Sequence, residues 1–180
     1  SSSAPTYTSP AFLVPTLGQM PSIPTVPVLS AQSVTISGTA PVYVGPSYSK
    51  IDTYIDTDED VELAQAKLQE VSNQVQDSLN RFNDANAEYQ AKLQKDIQDS
   101  QLSDANEARK LQTYSSEIQS YSAEVNRTIQ EWSQEYGFRL QEYGNDIQDA
   151  LNKFNKENTV FQNELQEKIQ EAKNQQTKDS

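Results

Sequence analysis

Cysteine and histidine are both missing from this chain, which removes the thiol nucleophile, the soft metal ligands and the commonest acid–base side chain together. The expectation is a protein that is not an enzyme and holds no metal or cofactor. Without cysteine there is no disulfide framework, and the redox compartment stays open. Basic charge is scarce: 14 Lys and Arg stand against 26 Asp and Glu, a net charge of −12. Nucleic acids and anionic membranes attract clustered Lys and Arg, so neither is an expected partner. No run approaches the ~20 apolar residues of a membrane span, and the first residues lack a charged start followed by an apolar stretch, so a soluble chain without a targeting signal is expected. A Gly-rich phosphate loop, a nucleophile elbow and a calcium loop are also lacking. Asn126-Arg-Thr128 fits a glycosylation acceptor by pattern alone, at a mid-helix position that argues against modification.

Proline stops at Pro46, and roughly the last 120 residues read as one amphipathic helical pattern. At 1.5 Å per residue a single helix of that size would be about 180 Å long, so its apolar stripe needs other helices to cover it. Thr57 can cap the first turn, Asp60 can reciprocate, and the surrounding acids suit a helix N-terminus. The apolar line then runs through Val75, Leu79, Phe82, Leu93 and Ile97. From Ile118 it settles into steps of three, four and four through Tyr121, Val125, Ile129, Trp132, Tyr136, Leu140, Tyr143, Ile147, Leu151 and Phe154, and it continues through Phe161, Leu165 and Ile169. Tyr121, Trp132, Tyr143, Phe154 and Leu165 stand eleven apart. An eleven-residue (hendecad) repeat over three turns predicts a nearly straight or slightly right-handed coiled coil. These residues are the expected oligomer core. The bulk of its aromatics favours three strands or more over two.

A second pattern overlies the first. Val75, Leu79, Phe82 and Asn86 reappear as Ile147, Leu151, Phe154 and Asn158, and Tyr89, Leu93 and Ile97 answer to Phe161, Leu165 and Ile169, always 72 residues apart. This reads as internal duplication within a rod, where 72 residues make twenty turns and both copies face one way. Asn86 and Asn158 fall on the core line. A buried Asn lowers coiled-coil stability but penalises wrong registers, so these two are candidate register locks; the alternative is that they mark local exposure or a change of phase.

Two places could interrupt the rod. Residues 100–106 are weakly apolar, and Asp104 with Glu107 resembles a fresh capping box, which would allow a helical hairpin. Asp104 and Ala108 nevertheless keep the three–four phase between Ile97 and Leu111, with no Pro or Gly, so the continuous rod is the favoured expectation. Gly137 and Gly144 each cost about 1 kcal/mol in a helix interior relative to Ala. They permit close helix approach or mark a bend.

All eight prolines precede residue 50. Pro21, Pro24 and Pro27 share the three-residue period of polyproline II, which offers its backbone to a partner surface. Residues 33–37 and 40–44 alternate as two short strands would, around Gly38. Two strands bury no independent core. The composition also suits a disordered leader, but Phe12, Leu13, Val14 and their apolar neighbours favour an extended arm that orders on assembly. The expected division is therefore a docking arm, 1–56, and a rod, 57–180, in a mainly α protein.

Glu88-Tyr-Gln-Ala-Lys-Leu-Gln-Lys95, the segment from Tyr114 to Asn126 and Phe154-Asn-Lys-Glu-Asn-Thr-Val-Phe-Gln162 resemble the coil-containing structural proteins of aquatic tailed bacteriophages. The resemblance covers roughly residues 60–172 and carries no catalytic motif. It implies a virion location in a fibre, whisker, collar or tail part and a homo-oligomer, most often a trimer. The arm would then dock on the capsid, portal, collar or tail. The alternative is a helical-hairpin or bundle assembly protein, of the periplasmic or outer-membrane channel type or another scaffold, which requires a turn near Ser103.

Overall fold

The computed structural model describes residues 3–30, 35–47, 61–102 and 104–179. The protein is mainly α: helix α1 spans Val61–Ser100, helix α2 spans Ala105–Asp179, and the described residues contain no strand. The helix start expected at Thr57–Asp60 lies outside the described residues.

The helices form an antiparallel hairpin, which corrects the expectation of one continuous rod. Tyr89 meets Tyr114, Asn83 meets Asn126, Leu68 meets Tyr136 and Gln65 approaches Gly144, so position rises along α1 as it falls along α2. The internal repeat therefore does not face one way on a single helix; its first copy lies in α1 and its second in α2. The break comes where the stripe holds nothing worth burying. Between Ile97 and Leu111 the line passes through small or polar residues. Ser100 Oγ donates to the Ile97 carbonyl at 2.6 Å, and Gln101 ends the helix with φ at +46°, the left-handed position usually given to glycine. Asp104 then caps α2: its Oδ1 accepts from the amides of Asn106 at 2.8 Å and Glu107 at 3.4 Å. Breaking a helix costs a few kcal/mol locally. Burying each large apolar side chain along two facing stripes contributes about 1.5–3 kcal/mol, so fold-back wins by a wide margin over a rod without partners.

Two apolar clusters fill the hairpin. The larger joins Leu68, Val71, Val75, Leu79 and Phe82 of α1 to Tyr121, Val125, Ile129, Trp132, Tyr136, Tyr143 and Ile147 of α2. The smaller, nearer the tip, joins Tyr89 and Leu93 to Tyr114 and Ile118. Both also take residues from the N-terminal segment. Phe12 is buried in the first, with Val14, Leu17, Met20 and Tyr43 against it, and Ala40 is buried in the second, with Ile36 against it.

That segment lies along the helices, and its described residues form neither helix nor strand. The Pro15 carbonyl accepts from Trp132, the Val28 carbonyl from Lys110, and Ser30 reaches Glu107, so residues 3–30 run along α2 towards the tip. Beyond the tip the direction reverses: Ser37 donates to Asp96 of α1, Ala40 sits with Tyr89, and the Pro41 carbonyl accepts from Tyr121. The strand pair expected over 33–37 and 40–44 is not formed over the described residues 35–47. Backbone groups there bind helix side chains where a ladder would have used them. Pro15 is buried and Pro21, Pro24 and Pro27 are half-buried, so a three-residue period does face the helices.

Candidate interaction surfaces

The expected oligomer core divides into two environments. Val75, Leu79, Phe82, Leu93, Ile118, Tyr121, Val125, Ile129, Trp132, Tyr136, Tyr143 and Ile147 are buried within a single chain, with Ile97 packed at the tip and Leu140 at the edge of the larger cluster. Their aromatics are held by specific partners. Trp132 stacks on Tyr136 with ring centroids 4.9 Å apart, and its indole N–H donates to the Pro15 carbonyl at 2.8 Å. The Tyr136 hydroxyl donates to the Leu68 carbonyl at 2.6 Å. Phe12 meets Tyr136 and Tyr143 edge-on at 5.4 and 5.6 Å. The Tyr89 and Tyr114 hydroxyls share a buried hydrogen bond of 2.6 Å. Burial, reinforced by that bond, pushes the Tyr114 phenol well above its ordinary range, and burial raises Tyr121 and Tyr143 as well.

The second environment is the projecting end of α2. Val61, the first described residue of α1, packs against the larger cluster together with Ile147 and Leu151 of α2, and the cluster reaches no further along α2. Roughly 30 residues of α2, about 45 Å, extend beyond it. On this overhang Leu151, Phe154 and Phe161 are only half-buried, while Leu165 and Ile169 are 40% and 41% exposed. Residues 3–8 start along one flank, beside Lys153, Lys156 and Phe161. The two copies of the repeat thus have different fates: the first is buried inside the hairpin, and the second passes from buried at Ile147 through half-buried to exposed at Leu165 and Ile169.

The asparagines also part company. Asn86 is buried, 3% exposed, yet its Oδ1 has no hydrogen-bond partner among the described residues, and Asn158 is half-buried on the overhang. A register device that sequence reasoning missed lies one turn away. Asn83 and Asn126 exchange reciprocal amide hydrogen bonds of 3.0 and 2.8 Å across the two helices. Neither sits on the apolar line, so hydropathy carried no signal for the pair. Asn126 belongs to the glycosylation-like triplet, and its amide is engaged in this contact and with the Ser122 carbonyl.

At the tip, Glu107 is buried, 6% exposed, and its Oε1 accepts from Ser30 Oγ at 2.6 Å, with Lys110 Nζ at 3.7 Å. The capping box expected from Asp104 and Glu107 is therefore half made: Asp104 caps the helix, and Glu107 holds the N-terminal segment. The Ser30 hydroxyl bond keeps the Glu107 carboxyl below its ordinary range. Of the proposed docking residues, Phe12 is used inside the hairpin, Val14 packs against it and Pro21, Pro24 and Pro27 face α2, while Leu13 is 64% exposed. Gly137 has nothing within 4 Å of where a Cβ would stand, so it mediates no close approach; Gly144 lies 3.3 Å from the Gln65 side chain on the same test. Among the described residues no group of three or more His, Cys, Asp or Glu is placed to hold a metal ion, and no helix is long and apolar enough to cross a membrane. No protein-family model matches the sequence, and no curated protein or solved structure matches it either.

Proposed function

We propose that this chain is a non-catalytic building block, a helical hairpin that assembles through the projecting end of α2, and that its setting is the virion of a tailed bacteriophage. The observation that carries the reading is the contrast within one stripe. The body of the hairpin buries its aromatics against its own chain, and the same pattern then continues past the described end of α1, where the described residues leave it only half-buried to 41% exposed. An enzyme concentrates chemistry in a cleft; here the polar groups are spent on caps, helix pairs and straps. We read the three–four–four spacing of the buried α2 residues as hendecad coiled-coil packing, used here between antiparallel helices. The trimer expectation drew on bulky aromatics in the stripe, and a single chain now accommodates them, so that support passes from strand number to the overhang.

Attachment to a capsid, portal, collar or tail would use the outer side of the N-terminal segment. Leu13, Val28, Val42 and Val44 are all more than half exposed there, while the inner side is occupied. The phage setting rests on the resemblance of the helical segments to virion coil proteins. Mass spectrometry of purified particles from a phage encoding the chain tests it: the protein should be present at several copies per particle, and absence from intact particles would remove the virion reading.

The fold-back at residues 101–104 also favours the second reading, a hairpin of the channel or scaffold type. In that case the protein would fractionate with a cell envelope or another complex, and never with particles.

A further inference from the structure

We propose that the overhang of α2 pairs with the overhang of a second copy, antiparallel and about a two-fold axis at Asn158. The inference rests on the assembly reading above, and it names the interface. Reading outwards from Asn158, the stripe is Phe154, Leu151 and Ile147 in one direction and Phe161, Leu165 and Ile169 in the other, at steps of four, seven and eleven against three, seven and eleven. A line that reads Ile, Leu, Phe, Asn, Phe, Leu, Ile is nearly its own reverse. Laid antiparallel on a second copy it sets Phe154 within one residue of level with Phe161, Leu151 level with Leu165, and Asn158 with itself, while Ile147, buried in its own hairpin, bounds the pairing. That is the self-complementarity an isologous two-fold interface demands. A parallel pair or trimer has no need of it.

Three further observations choose a second copy as the occupant. The interface is continuous with the one already inside the hairpin. The first copy of the repeat, Val75 to Ile97, is packed antiparallel on a helix of this same chain, so this residue pattern is compatible with antiparallel pairing. Charge does not oppose the meeting here. Residues 148–179 carry six acids and five lysines, so this end contributes one unit of the net charge of −12, and two such chains repel least when they join overhang to overhang. In the antiparallel register Lys153 comes within one residue of level with Glu164 of the second copy, while Asp149 is level with its Glu167 and one residue from its Lys168, so the flanking charges are mixed in sign. The stripe is bounded as well: Ile147 is buried at the end of the hairpin, and residues 170–179 are polar and exposed. At the axis two Asn158 amides can exchange hydrogen bonds, as Asn83 and Asn126 do within the hairpin.

Sedimentation of the full chain and a disulfide cross-link test this together. The mass should rise with concentration from 20.2 kDa to twice that value. Since the chain has no cysteine, Leu151→Cys and Leu165→Cys variants can be made singly, mixed and oxidised in air, with circular dichroism confirming that each keeps its helices. The mixed 151–165 disulfide should form in excess over both self-disulfides, because in the two-fold pair only unlike positions are level. Self-disulfides in excess would overturn the antiparallel register. A species heavier than a dimer, or a monomer from about 1 µM to about 1 mM, a range that spans roughly 4 kcal/mol of association free energy, would overturn the pairing itself. Particle proteomics can fail independently of this result, so loss of the virion reading and loss of the interface are distinguishable.

Discussion

Replacing Phe12 by alanine asks whether one residue of the N-terminal segment fastens it to the hairpin. The ring is 6% exposed and meets Tyr136 and Tyr143 edge-on. A Phe→Ala change in a core costs about 3–5 kcal/mol; edge-on aromatic pairs account for about 0.5–1.5 kcal/mol each beyond area. Phe12 belongs to the segment and to neither helix, so the loss falls on segment docking and not on helix pairing. A loss of about 3–5 kcal/mol lowers the docking constant by roughly 10²- to 10⁴-fold. Trp132, the one tryptophan, reports it directly: it is 4% exposed and hydrogen-bonded to Pro15, three residues from Phe12. The Phe12→Ala variant should show red-shifted Trp132 emission and readier acrylamide quenching, at a urea concentration where far-ultraviolet circular dichroism still reports full helix. Leu13→Ala, at the exposed neighbour, should match the wild type within about 0.5 kcal/mol. Unchanged Trp132 emission and quenching in Phe12→Ala would refute the anchoring argument. Loss of helix and burial in one transition would refute the separation of segment from hairpin. Trp132→Ala should be more damaging to the whole, since it empties the centre of the larger cluster at about 3–5 kcal/mol, measured as the shift in urea midpoint.

Other changes probe the turn, the register and the titratable groups. Gln101→Gly should stabilise by about 0.5–1 kcal/mol in thermal melts, because φ at +46° suits glycine and the relieved strain exceeds the added chain entropy; destabilisation would mean that residue 101 does not hold this conformation. Asn86→Leu should raise stability by about 1–3 kcal/mol by removing a buried oxygen without a partner, whereas Asn83→Ala should lower it by about 1 kcal/mol by stranding Asn126. Equal and opposite outcomes in chemical denaturation would reverse the two assignments. Tyr114, Tyr121 and Tyr143 have phenols raised by burial, so their contribution is complete below the ordinary tyrosine range near pH 10 and is lost as pH climbs above it. Alkaline titration should unfold the hairpin, and a Tyr89→Phe, Tyr114→Phe double variant should move that midpoint upward. Glu107 behaves oppositely: its lowered carboxyl contributes above the ordinary carboxylate range near pH 4.3 and loses that contribution as pH falls through its own value. Release of the Ser30 segment in acid, followed by hydrogen exchange, should disappear in Glu107→Gln.

Which residues are helical and which line is apolar can be read from local pattern alone. Absence of proline after Pro46 and the three–four spacing are local properties, and α1 and α2 follow them over nearly their whole length. The same pattern also marked the weak point at residues 100–106 and the capping acid Asp104. What covers the line is settled by contacts between distant parts of the chain. A stripe of period near 3.6 is equally satisfied by another chain, by a helix folding back or by an extended segment, because hydrophobic burial has no direction and does not name its partner. Fold-back, the strap formed by Phe12 and Pro15, and the Asn83–Asn126 pair each depend on residues tens of positions apart meeting in space. The repeat shows the point most clearly: Leu79 and Leu151 occupy equivalent places in the sequence, but the first is 2% exposed between the two helices and the second is half-buried at the edge of the larger cluster, so the same residue is central in one copy and peripheral in the other.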